Sequence, residues 1–166
     1  AHEETAAALV RACQRAGISR ILTLGISGSD LASKNACFAS RAAAESIQLQ
    51  GLPNSAVLRV PMVLGEGDYA SRALLANARK RFALTFKASS LEQPIYAGDV
   101  IAALGILLVQ PIPGVLELGG PESLSRRALI QRCAQVGTGR TPAVISLPVG
   151  LGYALAGLFE LFMDSP

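Results

Sequence analysis

The chain has 166 residues, 51% of them apolar and 16% charged. That is enough for a core of its own and far from the composition of a disordered segment. The net charge is +3, but the basic residues are scattered apart from Arg79-Lys80-Arg81. Five Phe, three Tyr and no Trp are too few to interleave a basic stripe, so composition argues against a nucleic-acid partner. Three cysteines far apart (Cys13, Cys37 and Cys133) and a single histidine (His2) exclude a disulfide scaffold and leave too few ligands for a His/Cys metal centre.

In chain order, residues 3–16 are predicted as a helix with Leu9, Val10, Cys13 and Ala16 on one face and Gly17 as terminator. Arg20–Gly25 is an apolar strand of the kind found inside a parallel sheet. Gly25–Ser29 then forms a loop in which Ser27 or Ser29 either donates to a substrate or caps the turn. A long helix is expected over 31–50, with Leu31, Phe38, Ala42 and Leu49 buried, ended by Gly51-Leu52-Pro53-Asn54.

The run Val57–Leu64 is too short for an ordinary helix and rich in branched residues. It reads as a buried interior strand whose exit turn, Gly65-Glu66-Gly67-Asp68, shapes a ligand crevice at the carboxyl end of the sheet. The order α, β, α, β with short connections is the signature of right-handed crossover units in a parallel sheet.

Beyond Asp68, residues 69–80 read as a helix with Leu74, Leu75 and Ala78 inward. Its basic end, Arg79-Lys80-Arg81, either answers the helix dipole or faces a substrate phosphate. Phe82–Phe86 alternates like a half-buried strand, and 89–93 is a polar loop. Asp99 sits where it accepts N–H groups at the start of a helix reaching Val109. That helix is apolar nearly all round and is expected to be buried on several sides. A strand over 115–119, a helix over 125–135 with Leu129, Ile130 and Cys133 inward, a short strand over 144–147 and a last helix over 149–162 complete the chain. The longest apolar stretches fall short of the about twenty residues that a bilayer span requires, although a membrane-lying last helix stays open.

Several runs together carry a family resemblance: Arg15-Ala16-Gly17-Ile18-Ser19-Arg20-Ile21-Leu22, Ser40-Arg41-Ala42-Ala43-Ala44-Glu45, Leu58 to Asp68, Gln93 to Val100, and Leu116 to Glu122. In this order they resemble the second half of an extended or atypical short-chain dehydrogenase/reductase. The flavour is that of the NAD(P)-binding epimerase/dehydratase-like proteins related to the 39-kilodalton accessory subunit of respiratory complex I. The resemblance implies a Rossmann-type α/β fold, with 1–68 as the second half of the dinucleotide-binding domain and 69–166 as a substrate-side region. It implies NAD or NADP as cofactor and a nucleotide-sugar-like substrate.

Two departures from the family pattern stand out. The glycine-rich phosphate-binding turn of the first βα unit is not in this sequence. The Tyr-x-x-x-Lys pair, four residues apart on one helical face, falls on Cys37 and Arg41. Arginine retains donors for ribose hydroxyls, and a thiol beside a cation is a conceivable acid or base; the alternative is that Cys37 is only a small side chain. The resemblance further implies cofactor contacts from Gly25, Arg41, Pro61, Met62 and Val63, and substrate contacts from Ser27, Ser90 and Gln93. Two functions stay open: an oxidoreductase or epimerase, and a non-catalytic dinucleotide-binding or assembly protein. The chain opens on Ala1 inside a helical pattern and stops just after another, which we read as a piece of a longer, cytoplasmic or organelle-interior protein. Such a piece is expected to self-associate through its exposed sheet edge.

Overall fold

A computed structural model describes residues 2–150 and residue 152. The elements run His2–Arg15 (α1), Leu22–Ile26 (β1), Ala36–Gly51 (α2), Ala56–Val60 (β2), Val63–Leu64 (β3), Tyr69–Ala78 (α3) and Phe82–Phe86 (β4). Then follow Leu91–Glu92 (β5), Ile95–Tyr96 (β6), Ala97–Val109 (α4), Gly114–Glu117 (β7), Leu124–Ser125 (β8), Arg126–Thr138 (α5) and Ala143–Leu147 (β9). The helix expected over 149–162 lies almost wholly outside the described residues.

The chain divides into two compact units, each discontinuous in sequence: Ala1–Val63 with Pro94–Pro121, and Leu64–Gln93 with Glu122–Pro166. The boundary expected after residue 68 therefore falls a few residues earlier, and the first unit takes back a segment of the second half.

In the first unit, β2 pairs in parallel with β1 on one side and β7 on the other, with Leu24 opposite Leu58 and Leu58 opposite Leu116. The expectation of an interior strand at 57–64 holds for Ala56–Val60. Four of these five residues are buried, and Val57 is fully so. A run apolar on both faces is what a strand covered on both sides requires. On one face, Leu58, Val60, Ile95, Val100 and Leu107 form a core with Leu22, Leu104 and Leu116 packed against it. A second cluster of Val10, Cys13 and Leu52, joined by Ile21 and Ile47, holds α1 and α2. Ser55, fully buried, accepts the Ile21 N–H on its Oγ at 2.9 Å and the Gly114 N–H on its carbonyl at 2.9 Å, so one residue secures the entry of all three strands.

Two helices differ from expectation. α2 begins at Ala36, not Leu31, and Leu31 is 64% exposed. Asp30 accepts the Ala32 N–H, Ser33 the Asn35 N–H and Asn35 the Cys37 N–H. These local side-chain bonds satisfy the backbone in a turn and defer the helix to its Asn35 cap. α4 is not buried on several sides: Val100 and Leu107 are buried, while Ile101 and Val109 are 68% and 81% exposed. Asp99 lies exposed in its first turn, where its charge suits the dipole, and the capping residue Tyr96 makes no side-chain cap bond.

In the second unit, β4 pairs in parallel with β9, Phe82 opposite Ala143 through Phe86 opposite Leu147. The alternation of β4 is real, but the buried face carries Ala83, while Phe82, Leu84 and Phe86 are exposed. Ala83, Ala88, Ile130 and Val144 form the core, with Leu74 against it. The polar loop expected at 89–93 contains β5, antiparallel to β8. Of the residues expected inward on α3 and α5, Ala78, Leu129 and Ile130 are buried, Cys133 is half-buried and Leu75 is exposed. α5 ends where Gly139 takes a left-handed φ of 68°, a conformation that side chains resist.

Asp68 caps α3: its Oδ1 accepts the Ser71 N–H at 2.9 Å and its Oδ2 the Gly65 N–H at 2.7 Å. The Ser71 hydroxyl and N–H, with smaller help from the Gly65 and Ala70 N–H groups, hold its pKa at about 2 against an ordinary 3.8. A carboxylate with a lowered folded-state pKa stabilises the fold above its unfolded pKa, and that contribution is lost as pH falls through the folded value. Asp68→Ala is therefore expected to lower the melting temperature at neutral pH, and the gap from the parent protein is expected to close between 3.8 and about 2. Melting curves of both proteins across this range check it.

Candidate functional site

The carboxyl ends of β1 and β2 lie side by side, because the Ser27 N–H donates to the Val60 carbonyl at 3.1 Å. Past this point β1 turns sharply. Gly28 adopts a φ of 84°, and the Ser29 hydroxyl donates to the Ile26 carbonyl at 2.9 Å. Ser29 is thus spent on its own turn, whereas Ser27 remains half-buried at the strand exit. Pro61, Met62 and Val63 follow β2 and are half-buried. The Met62 carbonyl accepts the Ile95 N–H at 3.0 Å, and Val63 packs on the core.

α2 lies beside β1 and carries Cys37 and Arg41 one turn apart on the same face. Cys37 is exposed, in the first turn. Arg41 is half-buried, and its Nε is buried with no hydrogen-bond partner among the described residues. It lines a cavity of about 140 Å³ with Thr23, Leu24, Gly25, Glu45 and Gln48. Glu45 Oε1, also buried, is likewise unpartnered. The cavity therefore presents one charged donor and one charged acceptor, a combination that suits a hydroxyl-bearing group, since a hydroxyl both gives and accepts.

The other Glu45 oxygen is fully engaged. Oε2 accepts from Arg59 Nε at 2.9 Å and Nη2 at 2.6 Å, while Arg59 Nη1 reaches Glu117 at 3.4 Å. The Glu45 side chain is 9% exposed and that of Arg59 16%. The hydrogen bond to Glu45 is the main cause that raises the Arg59 pKa, against an opposing effect of burial. This pair joins α2, β2 and β7. The motif reading missed it, although the signal was present: a cation inside a strand that is otherwise apolar needs an acidic partner.

Gly25 lies within β1, not in the loop beyond it, and a Cβ there would stand 2.5 Å from Glu45 Oε1 and 2.9 Å from Val57 Cγ1. Its bareness makes room for the ion pair.

No family model matches the sequence, and no curated protein matches it. Solved structures do. An NAD-dependent NDP-hexosamine 5,6-dehydratase, TunA, involved in tunicamycin biosynthesis, is 19% identical with a TM-score of 0.71, over 89% of this chain and 56% of the other. The dTDP-glucose 4,6-dehydratase of Bacillus anthracis, in complex with NAD, is 14% identical with a TM-score of 0.73, over 86% and 54%. The UDP-glucuronic acid 4-epimerase of Bacillus cereus, in complex with UDP-glucuronic acid and NAD, is 16% identical with a TM-score of 0.71, over 89% and 54%.

The fold is that of the Rossmann-type epimerases and dehydratases. The chain spans just over half the length of each of these structures.

Within this Rossmann-type fold the expected site residues separate by unit. Gly25, Ser27, Cys37, Arg41, Pro61, Met62 and Val63 belong to the first unit, and Ser90 and Gln93 to the second. The Ser90 Oγ is buried without a hydrogen-bond partner among the described residues, while its carbonyl accepts the Arg126 N–H at 2.8 Å. Gln93 is exposed. Among the described residues no group of His, Cys, Asp and Glu is placed to hold a metal, and no helix is long and apolar enough to cross a membrane.

Two substitutions test this packing. Gly25→Ala is expected to cost about 1–3 kcal/mol, as overpacking of a filled site does. Glu45→Ala is expected to cost about 3 kcal/mol or more, because it strands the Arg59 charge. Urea unfolding of each variant against the parent protein measures both.

Proposed function

We propose that the chain is part of an NAD(P)-binding protein of the nucleotide-sugar epimerase/dehydratase type, in which Cys37 and Arg41 stand where the family has its Tyr and Lys. The observation that carries this reading is the Nε of Arg41, buried and without a hydrogen-bond partner among the described residues, in a cavity shared with the unpartnered Glu45 Oε1. A guanidinium with a free donor at that place suits the ribose of a dinucleotide, for it offers fixed N–H groups and a permanent charge. The residues present fit this part of the cofactor; its phosphates would be held by a glycine-rich turn that this sequence does not contain.

Bound NAD(P) supplies the hydride acceptor or donor. The chain's own residues bind and orient. Arg41 holds the ribose hydroxyls, the backbone of Pro61, Met62 and Val63 walls the nicotinamide side, and Ser27, in the same unit, contacts substrate. Gly25 we assign to packing, given the contacts a Cβ would make there.

A second reading, a dinucleotide-binding protein without turnover, draws support from Cys37. Its thiol is exposed and makes no hydrogen bond among the described residues, so no neighbouring group prepares it to move a proton.

A thermal-shift titration of the intact protein with NADH and NADPH tests the binding. Ligand that binds only the folded state raises the midpoint with occupancy. A rise is expected for the parent protein and a smaller one for Arg41→Ala; no rise in the parent would remove the dinucleotide from the assignment. Turnover by the parent protein separates the two readings, and within the catalytic one full turnover in Cys37→Ala eliminates a role for the thiol, whereas loss of turnover with binding intact assigns it one.

A further inference from the structure

The described residues of the second unit hold more positive charge than their ion pairs consume. Residues 64–93 and 122–150 contain nine Lys and Arg against four Asp and Glu. Three of these four acids are already committed. Glu92 pairs with Arg126, Glu122 with Arg132, Asp68 caps α3, and Glu66 lies exposed in the turn before it. Four of the cations converge elsewhere. Arg79, Lys80 and Arg81 at the entry of β4, and Arg140 at the entry of β9, line one recess of about 510 Å³ together with Thr138 and Thr141. Parallel pairing of Phe82 with Ala143 brings the two basic segments together, and the Ala143 N–H donates to the Arg81 carbonyl at 3.3 Å. None of the four makes an ion pair among the described residues, and Lys80 reaches only Asn77, at 3.4 Å.

Helix dipoles account for part of this charge. α3 ends at Ala78 and α5 at Thr138, so two carboxyl ends, each worth about half a negative charge, stand beside the recess. They offset about one of the four cations and leave about three. The Thr138 and Thr141 hydroxyls already donate, to the Ala134 carbonyl and to Gln135, and so turn acceptor lone pairs rather than protons outward. The guanidinium and ammonium groups are left as the donors.

We propose that this recess is a binding site for a compact anion bearing two linked phosphate groups, the diphosphate of a small phosphorylated metabolite or headgroup. Such a group carries about three negative charges near neutral pH and many acceptor oxygens, which matches the surplus. A volume of about 510 Å³ is of the size that small-molecule sites have. The arrangement suits a compact ligand better than a nucleic-acid strand. The cations gather from two loops into one hollow, and the aromatic ring at hand, Phe82, is already covered by the Arg81 guanidinium at 5.6 Å, so among the described residues no stacking platform faces the recess. The site stands on charges and geometry of the second unit alone and does not rest on the dinucleotide reading.

Calorimetric titration of the intact protein with inorganic pyrophosphate, at about 0.15 M salt, tests the proposal. Saturable binding is expected below about 1 mM. It is expected to weaken about 3- to 10-fold in Arg140→Gln and in Arg81→Gln, further in the double variant, and not at all in Arg72→Gln, an exposed cation of α3 outside the recess. Melting temperatures equal to that of the parent show that the variants are folded. Sedimentation with vesicles containing a bisphosphorylated inositol lipid separates a headgroup from a free metabolite: co-sedimentation lost in Arg140→Gln assigns the headgroup, and its absence alongside pyrophosphate binding assigns the soluble ligand. No saturable pyrophosphate binding, equal binding in Arg140→Gln and parent, or a single-stranded RNA bound more tightly than pyrophosphate would overturn the proposal.

Discussion

A cation in the middle of a sheet sets the terms for the first unit. Arg59 belongs to the central strand, flanked by parallel neighbours on both edges, and a guanidinium cannot lie there without an acid and its hydrogen bonds. Glu45 answers from α2 with one oxygen, Glu117 from β7 adds a longer contact, and Gly25 gives up a side chain so that the carboxylate can reach. α2 is thereby fixed in rotation over the sheet. Once that rotation is set, Cys37 and Arg41 are carried to the carboxyl end of β1 as a consequence. The pair is costly to break and contributes orientation more than net stability, as buried ion pairs generally do.

The same constraint leaves the cavity beside Arg41 as it is. Glu45 spends one oxygen on Arg59, and among the described residues its other oxygen and the Nε of Arg41, one turn earlier, have no partner. Two unsatisfied charged groups in a space of about 140 Å³ are unusual in a folded protein, where buried polar atoms generally find partners. That exception is why the functional reading centres on Arg41 and not on the more familiar serine-rich turn, whose Ser29 proved to be occupied by its own backbone.

Much of this was legible in the sequence. The β2 strand announced itself by being apolar at successive positions, and its parallel pairing followed from the short α and β segments around it. Periodicity failed where side chains compete with the backbone. Asp30, Ser33 and Asn35 delayed α2 by five residues through bonds that a hydrophobic stripe cannot register. It failed again for α4, because apolar content all round a helix states what must be covered and not what covers it. In β4 the alternation was legible but left open which face is buried: Ala83 faces the core with Ile130 and Val144, leaving the phenylalanines outside. The Glu45 partner of Arg59 was invisible to motif reading because fourteen residues and a helix-to-strand passage separate the two.

The interleaving of the two units has a consequence for how the protein is made. β1, β2 and β7 can pair as soon as Glu117 is available, although Leu64–Gln93 must then hang as an excursion between them. β4 waits for β9, which arrives only with Ala143–Leu147. Long-range parallel pairing is slow because loop closure comes before any contact repays it. Synthesis from the amino end therefore delivers the first unit early and leaves Phe82, Leu84 and Phe86 without their strand partner until Ala143–Leu147 have been made. In that interval the unpaired backbone edge of β4, beside those exposed side chains, is what a chaperone would meet.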